Sequence, residues 1–490
     1  KHIGSEFMPP LDEGDLMYMP TTYPGLSIGK ARELLQQTDK LIKTVPEVDR
    51  VFGKIGRAET ATDPAPLTMI ETFIQLKPKD EWREGLTSQA LKKELDDLVK
   101  FPGLTNAWVM PIKTRIDMLA TGIKTPVGIK VAGPDLNMIQ EIGQQLEQVL
   151  KDVEGTSSVY SERVAGGRYI NIDINRVKAA RYGLNIQDIQ QVIGTAIGGI
   201  NVAQTTEGLE RYPINIRYPQ DYRSSPEQLQ LLPMITASGL RITLGDVANI
   251  KIENGPPGIK SENARLNGWT FIDIDNTDIG SYVERAKNIV NENIDLPAGY
   301  SLNWSGQYEY MLRAKEKLMY VVPLTLAIII ILLYMNFRNV TQVSILILSL
   351  PLSLVGSVWL MYALGFNFSI AVGVGMIALA GVAVETGVIM LVYLDQAWNE
   401  LKKNSGESLI KQSELVNAIE QGAGLRVRPV LMTAGATIIG LLPIMYGDGT
   451  GSEVMSRLAA PMVGGMLSSV MLTLFVLPVV YLTWKTRQVR

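Results

Sequence analysis

One carboxylate stands where a carboxylate is costly. The stretch Phe366–Leu394, FNFSIAVGVGMIALAGVAVETGVIMLVYL, is nearly all apolar and holds a single ionisable side chain, Glu385. About 20 apolar residues cross the hydrocarbon core of a bilayer, so this stretch reads as a membrane helix. A charged group at its centre costs on the order of 3 kcal/mol. Groups kept at that depth commonly carry protons or ions, which makes Glu385 a relay candidate. The plainer alternative is a neutral, hydrogen-bonded Glu that joins helices. Thr433 and Thr437, one helical turn apart on a later apolar span, share a face and are supporting candidates. Thr in a membrane helix more often bonds its own backbone, and Arg457 near an outer helix end most simply snorkels outward or caps a neighbouring helix.

A second chemistry is written in strand alternation. In TMIETFIQL, Met69, Glu71, Phe73 and Gln75 point one way and Ile70, Thr72, Ile74 and Leu76 the other. In DLMYM, Asp15, Met17 and Met19 share a face opposite Leu16 and Tyr18. A single Met usually fills a core; two strands that each set Met beside an acid on the more polar face weaken that reading. Thioethers bind soft monovalent ions, Cu(I) and by the same softness Ag(I), and are poor ligands for Zn²⁺, Mg²⁺ or Ca²⁺. Met118, in IDML, falls at the junction of two repeated units and could close such a site.

The elements that must position these groups follow from periodicity. From Asp15 to about Leu119 the pattern is strand, helix, strand, twice over, with helices at Ser27–Val45 and Thr87–Phe101. Each helix is a crossover between neighbouring strands, which predicts a split βαβ sandwich. A second unit has strands at Pro126–Gly133 and Gly167–Asn175 around a helix at Asp135–Val153, and its matching half returns only at WTFIDIDN, SYVERAKNIVNENI and Gly299–Gly306. Between the halves, Gly198–Lys260 is rich in strand signals, as a docking module or as a surface elaboration. Five apolar spans complete the chain, at about Leu318–Phe337, Thr341–Leu364, Phe366–Leu394, Pro429–Tyr446 and Met455–Trp484.

Charge splits the chain in the same place: between Lys317 and Asp395 the only charged residues are Arg338 and Glu385. A soluble body therefore precedes a membrane domain. Arg338, Lys402, Lys403, Lys411, Arg426, Arg428, Lys485, Arg487 and Arg490 fall at one side of the spans, and the opposite loops GFNFS and GDGTGSE hold no basic residue. That side is cytoplasmic, and five spans place the soluble body outside the inner membrane, which is the periplasm if the cell is Gram-negative. Net charge is −3, which gives no electrostatic case for nucleic acid. There is no Cys, and the one His is His2; disulfides, thiolate or His catalysis and ordinary zinc sites are excluded. The chain begins with Lys and shows no signal peptide, as a piece of a longer protein would.

Long strings resemble one family throughout the chain: DRVFGKIGRAETATDPAPL (Asp49–Leu67), INRVKAARYGL (Ile174–Leu184), AGVAVETGVIML (Ala380–Leu391), GLRVRPVLMT (Gly424–Thr433) and GTGSEVMSRLAAPMVGGM (Gly449–Met466). They resemble the heavy-metal efflux pumps of the resistance-nodulation-division superfamily, most of all its copper/silver exporters, and match the second half of such a pump. The resemblance implies an α+β fold: two ferredoxin-like porter subdomains with an inserted docking subdomain, then a five-helix transmembrane bundle. The boundaries expected are 13–118 for the first porter unit, 119–197 and 261–316 for the second, 198–260 for docking and 317–485 for the membrane helices. It implies a secondary active transporter rather than an enzyme: a homotrimeric, proton-driven antiporter of the inner membrane. Its partners would be a periplasmic adaptor, an outer-membrane channel, membrane lipid and a periplasmic metallochaperone. No cofactor is implied; Cu(I) or Ag(I) is the substrate. Met19, Met69 and Met118 match the family's metal-holding trio, Glu71 a nearby carboxylate, Glu385 the relay acid and Met455 one of a Met pair in the membrane region. Two departures matter. The relay Asp of the family lies on a first-half helix, and Val430 stands where copper/silver members carry Lys, as in other metal exporters of the superfamily. Exporters of divalent Zn, Co or Ni, and non-transporting assembly proteins of the same fold, are the rival expectations.

Overall fold

A computed structural model describes residues 3–9, 11–56, 66–275, 277–405, 411–447, 449 and 451–489. Arg490, most of the GRAETATDPAPL string and Asp448 and Thr450 of the GDGTGSE loop lie outside the described residues.

The first sheet is built from β1 (Leu16–Tyr18), β2 (Val48–Ile55), β3 (Ile70–Leu76) and β4 (Trp108–Val109), in the order β2-β3-β1-β4. Helix α1 (Ile28–Ile42) joins β1 to β2, and α2 (Ser88–Leu98) joins β3 to β4. Both begin on hydroxyl caps, Ser27 and Thr87, whose oxygens accept from Lys30 N and Ala90 N. Leu16, Tyr18 and Ile74 pack with Leu91, Leu95 and Trp108 in the core beneath the sheet. The other face of the sheet carries the Met and acid residues, and α3 (Pro111–Thr121), which follows β4, sends Arg115 to Glu71 on it.

The second sheet repeats this order. Its strands are β5 (Val127–Gly133), β6 (Thr156–Ser161), β11 (Lys260–Glu262), β12 (Arg265–Ile274) and β13 (Ser301–Gly306); β12 pairs with β5, β5 with β13, and both β6 and β11 lie along the far edge of β12. Helices α4 (Leu136–Lys151) and α5 (Ile279–Asn293) share its core. One expectation is overturned. Strand β7 (Gly167–Ile174) does not close the first half of this sheet; it leaves to pair with β10 (Ala248–Gly255), and β6 takes the sheet edge instead. Alternation in RYINIDI is the same whichever sheet receives it, and the Ser- and Thr-rich β6 is a faint strand signal. The insertion is correspondingly larger than 198–260, because Ala179, Leu184 and Ile189 belong to its core with Leu229, Leu244 and Ile250. Its hairpin, β8 (Ile200–Glu207) and β9 (Glu210–Ile216), projects with Leu209 fully exposed at the tip.

Among the described residues, five helices are long and apolar enough to cross a membrane: α6 (Gln307–Phe337), α7 (Val340–Leu364), α8 (Ile370–Ser405), α9 (Gln412–Met445) and α10 (Ser452–Met471), the last continued through a π turn at Leu472–Val476 into α11 (Leu477–Val489). The π turn precedes Pro478, whose missing N–H breaks the regular ladder. Helices α7 and α10 meet through glycine. A Cβ on Gly356 would stand 2.1 Å from the Gly464 carbonyl oxygen, a close approach that small residues permit in membranes. Ser357 Oγ donates to Pro461 O (2.5 Å) and Ser468 Oγ to Ser353 O (2.6 Å) across the same seam.

One ion pair ties the first sandwich together. Arg83 donates through Nε to Glu47 Oε1 (2.7 Å) and through Nη2 to Oε2 (2.9 Å), and the Glu47 side chain is buried. These hydrogen bonds hold the Glu47 carboxyl down at about 2, against the smaller opposing effect of burial. A carboxyl depressed in the folded state stabilises fully above its unfolded value and stops doing so as pH falls from there through the folded one. We therefore expect the apparent Tm of the purified full-length protein to fall between about pH 5 and pH 2. Glu47→Gln should lower it at pH 7 and flatten that acid limb, as differential scanning calorimetry would read.

Candidate functional site

Pairing between β1 and β3 sets Leu16, Met17 and Tyr18 against Ile74, Phe73 and Thr72, and the bridge Thr21–Met69 continues the same register. One step beyond Tyr18–Thr72, Met19 therefore stands across from Glu71, with Met69 its diagonal neighbour. Such positions place Cβ atoms about 5 Å and about 7–8 Å apart on one face. On the far side of β3, Lys54 pairs directly with Glu71, and their charged ends are 2.7 Å apart. On the other side Met19 N donates to Ala107 O (2.8 Å). The row across the sheet is thus Lys54, Glu71, Met19, Ala107.

Helix α3 reaches this row through Arg115. Its first turn is held by Glu13, whose carboxylate accepts from Ile112 N and Lys113 N, both at 2.7 Å, a favourable charge at a helix N-terminus. Arg115 reaches down to 3.7 Å from Glu71 Oε2. Met118, three residues on, lies on the same side of the helix. The helix stops at Gly122, in the left-handed region (φ 80°), where a Cβ would also stand 2.4 Å from the Trp269 ring. Beyond it, Lys124 donates to Met19 O (3.0 Å) and Thr21 Oγ1 (2.5 Å), and burial pushes its amine down to about 8. The second sandwich meets the first at Tyr23: Arg163 lies 5.7 Å from the Tyr23 ring and 5.4 Å from that of Tyr160.

Met19, Met69 and Glu71 are therefore brought to one face, and Met118 lies on α3 one turn beyond Arg115, which reaches Glu71. Met19 is fully buried, while Met69 and Met118 are half-buried, so the face is less open than its polar pattern promised. Glu71, 3% exposed, is committed to Lys54 and Arg115 rather than poised as a bare ligand. Sequence reasoning missed Lys54, Arg115 and Lys124. The first was findable by extending the alternation to the neighbouring strand, and the second by its i,i+3 spacing to Met118. Met455 stands in the other half of the molecule, exposed on the first turn of α10. Among the described residues, no group of three or more His, Cys, Asp or Glu side chains is arranged to hold a metal.

In the membrane half, Glu385 lies at the middle of α8 on an exposed face. Gly381, one turn before it, and Gly435 and Gly440 on α9 have open space where a Cβ would be. Thr437 does not present its proton to Glu385: its hydroxyl donates to Thr433 O (2.9 Å), and that of Thr433 to Pro429 O (3.0 Å). Val430 is buried on α9.

Comparison with known proteins adds the following. The model of the AcrB/AcrD/AcrF family matches residues 1–485. The cation efflux system protein SilA of Salmonella typhimurium is 52% identical over 486 residues, and the cation efflux system protein CusA of Escherichia coli K12 is 51% identical over 486 residues. Each alignment covers 99% of this chain and 46% of the relative, so the chain spans about half the length of the curated relatives it matches. A crystal structure of a heavy metal efflux pump superposes with a TM-score of 0.87 at 29% identity, covering 99% of this chain and 48% of that one.

Proposed function

The chain belongs to the AcrB/AcrD/AcrF family, among its heavy-metal efflux members, and from that premise we propose that it is the second half of a proton-driven inner-membrane exporter of Cu(I) and Ag(I). The observation that carries the substrate is the row Lys54–Glu71–Met19 with Met69 diagonal to it, to which Met118 is linked by its place one turn beyond Arg115 on α3. Thioethers suit a soft monovalent ion. The Glu71 carboxylate offsets part of the positive charge that Lys54 and Arg115 bring to the row, which lowers the repulsion a monovalent cation would meet beside the uncharged methionines.

The two sandwiches act as porter subdomains whose cleft opens and closes around this face. Glu385 exchanges protons with an acid on first-half helices, which pack on the open face of α8 and α9; glycines there favour close helix contact. The exposed apolar hairpin β8–β9, with Ile214 and Ile216 about half exposed, suits docking onto a second copy in a trimer, since a bare apolar ribbon is a liability in water. A periplasmic adaptor and an outer-membrane channel complete the route out. Buried Val430 removes a titratable group from α9, a feature shared with exporters of divalent ions; the lack of a His or carboxylate cluster among the described residues weighs against that substrate.

Calorimetric titration of the purified full-length transporter tests this. Ag(I) is expected to saturate near one ion per protomer at micromolar affinity or better, about −8 kcal/mol, while Zn²⁺ gives no saturable heat at the same concentrations. Saturable Zn²⁺ binding with none for Ag(I) would reverse the substrate.

A further inference from the structure

The segment Ile3–Pro9 runs between the two halves of the molecule and is bonded to both. Toward the membrane helices, Glu6 N donates to Phe368 O (2.9 Å), Phe368 N to Gly4 O (2.8 Å) and Ile370 N to Phe7 O (3.2 Å). Phe368 and Ile370 lead directly into α8, the helix of Glu385. Toward the second sandwich, Ser5 N donates to Asp278 Oδ2 (3.0 Å) and Gly280 N to Ser5 O (3.2 Å). Asp278 caps α5, accepting from Ser281 N at 2.9 Å, and α5 buries Tyr282, Val283, Ala286 and Val290 in the core of the second sheet. The fit is close on both sides: a Cβ at Gly4 would stand 2.6 Å from Asp278 Oδ1 and 2.9 Å from Asn367 Oδ1, and one at Gly280 would stand 2.1 Å from Ser5 Oγ.

A buried charge locks this strap in place. Asn367 Nδ2 donates to Glu6 Oε2 (3.1 Å), and Glu6 Oε1 lies 3.4 Å from Arg457 Nε, with the two side chains 9% and 14% exposed. Arg457, on α10, is stacked 4.7 Å over the Phe366 ring. Glu6 Oε1, Arg457 Nε and the nearby Glu453 Oε2 are buried without a hydrogen bond of their own, so attraction between charges, not a saturated network, holds the pair. Burial raises the Glu6 carboxyl above the ordinary range, opposed by Asn367 and Arg457 and reinforced by Asp278. Buried pairs of this kind add little net stability, and their best-attested use is to fix one arrangement against another.

We propose that Glu6 and Arg457 are positioning residues for transport, clamping a strap that carries movement of the outer ends of α8 and α10 to α5 and hence to the second sandwich. The idea rests on the transport function proposed above and names the element that couples its two halves.

A double-mutant cycle tests it in the full-length transporter. This half contains no cysteine, so spin labels at Lys40→Cys on α1 and Glu284→Cys on α5 report cleft width; any cysteine of the first half is replaced first. Glu385→Gln, a mimic of the protonated relay, should shift the label–label distance distribution. In a Glu6→Gln or Arg457→Gln background that shift should shrink at least threefold, with Ag(I) affinity within twofold of wild type. The reciprocal exchange, Glu6→Arg with Arg457→Glu, should restore most of it. Single variants that keep the full shift would overturn the strap, and so would singles that lose Ag(I) affinity and are not rescued by the exchange, because the pair would then only support the fold. If Glu385→Gln moves nothing in the parent and the parent exports no metal, the transport function itself falls and the strap with it.

Discussion

Glutamine at position 385 is expected to abolish silver and copper resistance conferred by the full-length transporter, while Ag(I) affinity of the purified protein stays within about twofold. The side chain keeps its size and polarity, so the helix loses only the ability to change charge. Glu385 lies at the middle of α8, on a face where Gly381 has open space beside it. A charge at membrane depth costs on the order of 3 kcal/mol, a cost that reversible protonation would put to use. One proton crossing 100 mV supplies about 2.3 kcal/mol; at about 1.4 kcal/mol per decade, that sustains a gradient of about 40-fold. With that coupling removed, resistance should fall to the level of a strain without the transporter. Thr437→Val should cost far less, because the hydroxyl already bonds Thr433 O. Resistance growth assays beside Ag(I) calorimetry decide the matter: a Glu385→Gln protein that still protects cells is not driven through this residue.

What was legible in the chain was whatever depends on neighbours two or four residues away. Alternation told Met69 and Glu71 from Ile70 and Thr72, and it told Met19 from Tyr18; pairing of β1 with β3 then needed only a register to bring the two sets together. The apolar spans were equally plain, although α6 begins at Gln307 and α9 at Gln412, beyond the apolar part of each, since a polar helix end has no hydropathy signature. Long-range choices were hidden. Nothing in RYINIDI says that β7 turns away to β10, because period-two patterns do not name a partner. The charges around Glu71 come from a neighbouring strand and from a helix 44 positions further along. The strap at Ile3–Pro9 is short and unpatterned, and its meaning comes only from Phe368 and Asp278, both more than 270 positions away.

The other large effect belongs to Met19. Leucine there keeps volume and apolarity, and swaps of that kind usually cost less than about 1.5 kcal/mol of stability, so the first sandwich should survive. What disappears is a thioether at the centre of the row, directly across from Glu71 and diagonal to Met69. With one of three soft donors gone, Ag(I) affinity is expected to fall at least 100-fold, a loss of about 2.7 kcal/mol, because neither Thr21 Oγ1 nor the Glu71 carboxylate is a soft replacement and the latter is already held by Lys54 and Arg115. Met455→Leu, in the membrane half, should leave that equilibrium affinity within twofold. Met19 is also fully buried, whereas Met69 and Met118 are half-buried, and we expect an incoming ion to meet the latter two first. Met69→Leu and Met118→Leu should therefore slow Ag(I) association as well as weaken it, whereas Met19→Leu acts mainly on dissociation. Stopped-flow binding on the full-length transporter separates the two rates, and an unchanged Kd in Met19→Leu would remove the methionine face from the substrate path altogether.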